Sequence, residues 1–448
     1  MSFTTDKQTL EDLNIFGRRG GDSIYGIFNR TFTRGGAEIL EQMFRYPLSD
    51  RDAINNRSAI IRYFASTPGV FPFESASFDA IEQYLANTDE RTRLSPEDNT
   101  LGRKLSSLVA ADNVYKMIHK GVTALINVMT GLQGFLRANV PAASTPYRSE
   151  MLSMTDILSG VEFVSLLSQK PGGKLPYGEV AEYDALLRFR HREKIRKMLQ
   201  HIYSLDVYLS VAKVARERNL VFPTALPGGD QTLELEGVYH LQLAKPIPNT
   251  IHMTPDQNII FLTGANMAGK STLMKSLGVA VFLAHMGFPV PASRMTFSIR
   301  DAIYTTINLS DNLNVGASHF YAEVLRIRKV AKEVSAGKNL FIIFDELFRG
   351  TNVKDAYEAT IAIMSAFAQR ENGQFIVSTH IIEAGEVLKE KAGNISFLYL
   401  PTRMEKHVPV YTYTLEKGIT DDRHGMIIIR NEGILDILTG AKTKTASS

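Results

Sequence analysis

From about Gly36 to Leu220 apolar residues recur mainly three and four positions apart, as in Ile195, Met198, Leu199, Ile202, Tyr203 and Leu209, and strand-like alternation is missing. That spacing predicts amphipathic helices, each with one buried face. Pro171-Gly172-Gly173 divides this half into two helical blocks, and Pro223 followed by Pro227-Gly228-Gly229 ends the last long helix. Beyond that break the pattern changes to apolar runs of strand length at 259–263, 302–307, 340–344, 375–378 and 395–400. Helix-like segments follow most of them, which is the βα alternation of a mainly parallel sheet with helices on both faces. The chain is therefore expected to be multidomain. An extension at 1–24 leads into a mainly α-helical domain at 25–230, then an α/β domain at 231–440 and a small polar tail at 441–448, expected to be disordered.

The first of those strands runs straight into Gly264-Ala265-Asn266-Met267-Ala268-Gly269-Lys270-Ser271, and an apolar helix through Leu273, Leu277 and Val281 follows. Strand, G-x-x-x-x-G-K-[ST] and helix together form a phosphate-binding loop. Gly264 and Gly269 let backbone N–H groups wrap phosphate oxygens, and the helix offers its positive end to the same anion. Lys270 is placed to bridge the β- and γ-phosphates and Ser271 to hold Mg²⁺, so ATP with Mg²⁺ is the expected ligand.

The wholly apolar run 340–344 ends in Asp345-Glu346. A buried strand delivers such a pair to the C-terminal edge of the sheet, where ligands of open α/β sheets bind. Asp345 is expected to complete the Mg²⁺ shell through water, and Glu346 to orient and deprotonate the attacking water. A later strand ends in Ser378-Thr379-His380, which brings an imidazole to the same edge, to sense the γ-phosphate or the attacking water.

Composition narrows the classes. With 50 Lys and Arg against 47 Asp and Glu among 448 residues, the formal charge of +3 does not announce nucleic-acid binding without a local patch. The absence of Cys removes disulfides, thiolate metal sites and cysteine nucleophiles, and suits a reducing cytoplasm. The polar, acidic start does not read as a signal peptide, and no long uncharged apolar stretch predicts a membrane span.

The stretch from Thr263 to Thr272, with Asn266-Met267 inside the loop, resembles the phosphate loop of the MutS family. Asp345-Glu346-Leu347-Phe348-Arg349-Gly350-Thr351 resembles that family's D-E-x-x-R-G-T segment, and Ser378-Thr379-His380 its following histidine motif, in the same order. Asp311-Asn312-Leu313 and the stretch from Gly316 to Glu323 are similar to the D-x-L…G-x-S-x-F-x-x-E signature loop. In MutS proteins and their ABC-type relatives that loop reaches across a dimer to the partner's nucleotide. The resemblance thus implies an ABC-type P-loop ATPase domain, with Thr272 among the nucleotide-binding residues and a homodimer formed through these domains. It also implies that Ser318 meets the γ-phosphate in trans and that Asp355 belongs to the interface loop.

Upstream, Phe32-Thr33-Arg34-Gly35-Gly36, Leu40, Tyr46-Pro47-Leu48, Ile54, Arg57 and Phe64 are similar to the start of the MutS core or lever domain. The likeness is strong from about 255 to 430 and looser over 25–235. Only about two dozen residues precede the lever-like part, so the family's mismatch-reading domain, with its Phe-x-Glu wedge, and its connector domain are expected to be absent. Ala265 and Ala268 stand where the family usually has Pro and Gly. The segment 236–251 offers no aromatic residue at an unambiguous adenine-stacking position, and base recognition stays unassigned.

Arg188, Arg190, Arg192, Lys194, Arg196 and Lys197 crowd one predicted helix, with Glu193 interleaved. The cluster is either a phosphate-neutralising patch or a solvated helix face. The function expected is an ATP-dependent DNA-binding ATPase of repair or recombination, acting on duplex or branched DNA without the wedge, with other repair proteins as partners. Hydrolysis in a composite dimer site would move the lever helices. The alternative is an ATP-gated protein-interaction switch with slow hydrolysis and no direct DNA binding.

Overall fold

The computed structural model describes residues 3–17, 22–67, 69–95, 108–169, 173–307, 319–405, 408–420 and 433–438. Their helices are, in chain order, α1 (Lys7–Asp12), α2 (Ile24–Phe28), α3 (Arg34–Arg45), α4 (Arg51–Ser66), α5 (Ser75–Ala86), α6 (Leu108–Ala138), α7 (Arg148–Leu158), α8 (Val164–Leu167), α9 (Tyr177–Asp184), α10 (Arg192–Glu217), α11 (Lys270–His285), α12 (His319–Ser335), α13 (Val353–Ala368), α14 (Ile382–Lys391) and α15 (Ile434–Leu438). The strands are β1 (Thr224–Leu226), β2 (Leu233–Val238), β3 (Asn249–Met253), β4 (Ile259–Gly264), β5 (Arg294–Ser298), β6 (Ala302–Thr306), β7 (Leu340–Phe344), β8 (Gly373–Ser378), β9 (Ile395–Leu400), β10 (Thr402–Glu405), β11 (Val408–Tyr411) and β12 (Glu416–Lys417). They form two compact units. One comprises Phe28–Met43 and Ala59–Glu217, and the other Met1–Ile27, Phe44–Ser58 and Arg218–Ser448.

The first unit is helical, as its periodicity predicts. Ile118, Val122, Leu125, Met129 and Leu132 line the buried stripe of α6, and α5 packs against it at Gly121. A Cβ on Gly121 would lie 2.2 Å from that of Tyr84, so a larger residue would force the helices apart. The Thr33-x-Gly35-Gly36 turn has a similar cause. Buried Asp206 of α10 accepts from Phe32 N (3.0 Å), Thr33 N (2.8 Å) and Thr33 Oγ1 (2.7 Å), and Thr33 Oγ1 accepts from Gly36 N to cap α3. A Cβ on Gly36 would sit 2.5 Å from the Asp206 carboxylate. Burial pushes the Asp206 carboxyl up, against these hydrogen bonds.

The second unit holds a six-stranded sheet in the order β12-β9-β4-β8-β7-β6, parallel from β9 to β6 with β12 antiparallel at one edge. Every residue of β4, β6, β7 and β8 is buried, which is why these strands are largely apolar, with Thr263, Thr305, Thr306, Gln374 and Ser378 as buried polar exceptions. One face packs Phe261, Ile342, Phe344 and Phe375 against Val330 of α12, Met364 and Phe367 of α13 and Leu388 of α14. Against the other lies α11, whose Gly278 meets Ile343. α11 also packs on β2 of a second, mixed sheet, β1-β5-β2-β3, which the sequence pattern did not single out. Its strands are short, and β2 buries only Leu233, Leu235 and Val238.

The start of the chain folds into this unit. Thr4 O, Thr9 Oγ1 and Asp12 Oδ2 accept from the N–H groups of Ile303, Thr305 and Ile307, covering the free edge of β6. His285, at the end of α11, stacks on Phe3 at 4.0 Å and bonds the Leu48 carbonyl through Nδ1 at 2.9 Å. Complete burial pushes its imidazole down to about 3, so it is neutral at physiological pH.

Candidate functional site

Gly264 ends β4 with φ 145° and Gly269 precedes α11 with φ 99°, both in the region that favours glycine. A Cβ would come within 3.0 Å of the Leu400 carbonyl at the first and of the Tyr413 ring at the second. The loop between them presents Met267, 78% exposed at φ 68°, to solvent, while Ala268 is buried. Lys270 turns back into the loop, its Nζ donating to the carbonyls of Gly264 (2.8 Å) and Ala265 (3.2 Å). Burial lowers its pKa, opposed by the charges of Glu346 and Asp345.

β7 delivers the acidic pair beside this loop. Asp345 accepts from Ser271 Oγ at 2.5 Å on one oxygen and from Ser378 Oγ at 2.5 Å on the other, and Ser378 Oγ accepts from Glu346 N at 2.9 Å. Burial raises the Asp345 pKa, with the two hydroxyls pulling the other way. Glu346 goes in the opposite direction. His380 Nε2 donates to its Oε1 at 2.7 Å and Arg349 pairs with its Oε2 at 3.1 Å, and the histidine bond is the largest influence holding this carboxyl below its usual range. Glu346 and Phe348 both adopt positive φ, 54° and 63°, a cost that side-chain-bearing residues bear mainly at functional positions.

Glu346 and the loop border a cleft of about 580 Å³. Residues 265–273 line it, and Leu243, Pro246, Ile247 and Tyr413 add an apolar slot, with Val238, His240 and Lys245 also in the lining. A glycine-flanked loop with a lysine beside an apolar slot suits an elongated anion that carries a flat, apolar group.

The family model for MutS domain III matches residues 8–212, and that for MutS domain V matches residues 260–447. The chain belongs to the MutS family. The DNA mismatch repair protein MutS of Streptococcus sanguinis is 28% identical over 264 residues, 56% of this chain and 30% of that protein. MutS of Staphylococcus epidermidis is 29% identical over 260 residues, 56% of this chain and 29% of that protein. The DNA mismatch repair protein HexA of Streptococcus pneumoniae is 29% identical over 272 residues, 58% of this chain and 32% of that protein. This MutS-family chain thus aligns with about a third of the length of these relatives.

Gly264, Ala265, Asn266, Met267, Ala268, Gly269, Lys270, Ser271, Thr272, Asp345, Glu346 and His380 all come together at the C-terminal edge of the large sheet. Ser318 lies outside the described residues. Asp355 stands in the first turn of α13, its N–H capped by Asn352 Oδ1 at 2.9 Å.

The basic helix needs correction. Arg188 is fully buried and bonded to Asp184 at 2.7 and 2.8 Å, so it does not belong to a surface patch, and half-buried Arg192 donates to the Leu85 carbonyl, while Arg190, Lys194, Arg196 and Lys197 are exposed. Lys194 pairs with Glu162 and Arg196 with Glu193. Tyr413 was not read from the sequence, and the wall 243–247 lies inside the segment 236–251 where base recognition stayed unassigned, between the two segments that the MutS models match. No helix among the described residues is long and apolar enough to cross a membrane.

Proposed function

We propose that this chain is a Mg²⁺-dependent ATPase of the ABC type whose two-copy ATP cycle moves its helical domain on DNA in a repair or recombination reaction. The observation that carries the reading is the junction of loop and acidic pair, where Ser271 Oγ donates to Asp345 and Glu346 is held by His380 beside the same cleft. The donor set suits Mg²⁺, a hard cation that takes one or two carboxylates and a hydroxyl and completes its shell with phosphate and water. A raised, buried Asp345 next to a hydroxyl is a carboxylate that gains from a cation. Ser271 and Asp345 would hold Mg²⁺, which would neutralise charge developing on the phosphates.

Lys270 would exchange its two loop carbonyls for phosphate oxygens, and the N–H groups of residues 265–272 would cradle them. The apolar slot would take the adenine. Because Glu346 is kept ionised by His380 and Arg349, its chief work is to orient the attacking water and accept its proton as the γ-phosphoryl bond to ADP breaks. A second copy's Ser318 would complete each site, with the sheet-bearing unit forming the ATPase domain and the helical unit, Phe28–Met43 and Ala59–Glu217, the lever, which narrows the bounds 231–440 and 25–230 expected from the sequence. Glu346→Gln should keep ATP affinity, accumulate dimers and lower turnover by about 100-fold or more. Turnover equal to wild type would remove Glu346 from this role.

The second reading, an ATP-gated protein-interaction switch with slow hydrolysis and no direct DNA binding, draws on the burial of Arg188 and on the pairing of Lys194 and Arg196 with carboxylates. Binding to plain, mismatched and branched duplexes across a salt titration separates the two. A DNA-binding lever loses affinity steeply with salt, whereas a switch binds none of the duplexes.

A further inference from the structure

The two walls of the apolar slot come from loops far apart in sequence, and one buried side chain joins them. Asn249, 8% exposed at the start of β3, donates from Nδ2 to the carbonyls of Tyr413 (2.9 Å) and Ile247 (3.4 Å), while its Oδ1 accepts from Leu415 N at 2.7 Å. Ile247 and Tyr413 both line the cleft and are 45% and 43% exposed. Tyr413 is also held at φ 56°, an unfavourable conformation that the two bonds flanking Thr414 fix in place. Its ring rests on the bare Cα of Gly269, so the wall touches the phosphate loop as well.

We propose that Asn249 is a positioning residue that sets the spacing of the two walls, and so makes the cleft prefer polyphosphates that carry a base over bare polyphosphate. This rests on the nucleotide reading above. An Asn is suited to the task because one planar amide supplies a donor edge and an acceptor edge at once. Asp in its place would keep the bond from Leu415 N but turn a carboxylate oxygen toward two carbonyl oxygens, and the walls would part.

The test is calorimetric binding of MgATP and of magnesium tripolyphosphate to the full chain. Asn249→Asp should weaken MgATP about tenfold, the worth of roughly one hydrogen bond, and leave tripolyphosphate within about twofold. Tyr413→Ala should give the same selective loss, and the double variant should be no weaker than Tyr413→Ala alone. Asn249→Ala, which brings no charge into the slot, answers the question if the Asp variant fails to fold. Equal losses for both ligands, or additive losses in the double variant, would overturn the assignment of Asn249. Wild-type protein that binds neither ligand would instead overturn the nucleotide reading itself.

Discussion

In the helical unit Asp184, Arg188 and Tyr84 close a network on themselves, whereas in the sheet unit Asp345, Glu346 and Lys270 lean on hydroxyls, a histidine and backbone carbonyls at the wall of a cleft. The first set is sealed. Both charged side chains are 0% exposed, Tyr84 Oη donates to Asp184 at 2.9 Å, and the remaining guanidinium hydrogens go to Thr92 and the Asn87 carbonyl. The second set has spare capacity, because a carboxylate has more acceptor positions than Ser271 and Ser378 fill, and the bonds of Lys270 can be exchanged. The contrast separates a charge cluster that is closed within the fold from one that, on the reading proposed above, takes a ligand, though both combine acids with a cation.

The sharpest way to break this comparison is to cut each cluster and ask which property fails. Arg188→Met should destabilise the protein by about 3–5 kcal/mol, since it leaves a buried carboxylate without its cation, and should leave MgATP affinity unchanged in the molecules that remain folded. Chemical denaturation alongside calorimetry reads both, and a large affinity loss with little loss of stability would reverse the assignment. Lys270→Ala is the converse. It should weaken MgATP by about 100-fold, equivalent to roughly 3 kcal/mol, while the denaturation midpoint moves little. A midpoint that collapses instead would make Lys270 a structural residue.

The same contrast explains what could be read from the chain. The phosphate loop, the acidic pair and His380 each follow a fully buried strand with an apolar run in it, so pattern and chemistry coincide and their shared edge follows from sheet topology. Arg188 looked like one of six surface cations because charge in a sequence carries no sign of burial. Its partner Asp184 lies four residues back, across a π-helical turn at Ala185–Arg190. The apolar slot was invisible for another reason. Asn249 meets its partners at separations of 164 and 166 residues, and no periodicity links them. Likewise the polar start of the chain gave no hint that Thr9 and Asp12 serve the backbone of β6, because a side chain capping a strand edge leaves no repeat in the sequence.

The finest test lies within the open cluster, where adjacent carboxyls have shifts of opposite sign. Asp345 is raised above its ordinary 3.8 by burial, so the stability linked to its protonated form is lost as pH rises through the raised value. Glu346 is lowered below its ordinary 4.5, chiefly by the His380 bond, so its contribution is present above about 4.5 and is lost as pH falls through the lowered value. Without nucleotide at pH 7, Asp345→Asn should therefore melt slightly higher than wild type and Glu346→Gln slightly lower, and both differences should shrink toward pH 3. Asp345→Asn should at the same time lose the dependence of ATP binding on magnesium. If both variants melt on the same side of wild type across that range, the two carboxyls share one environment, and the division of labour between a cation ligand and a water-orienting base fails with it.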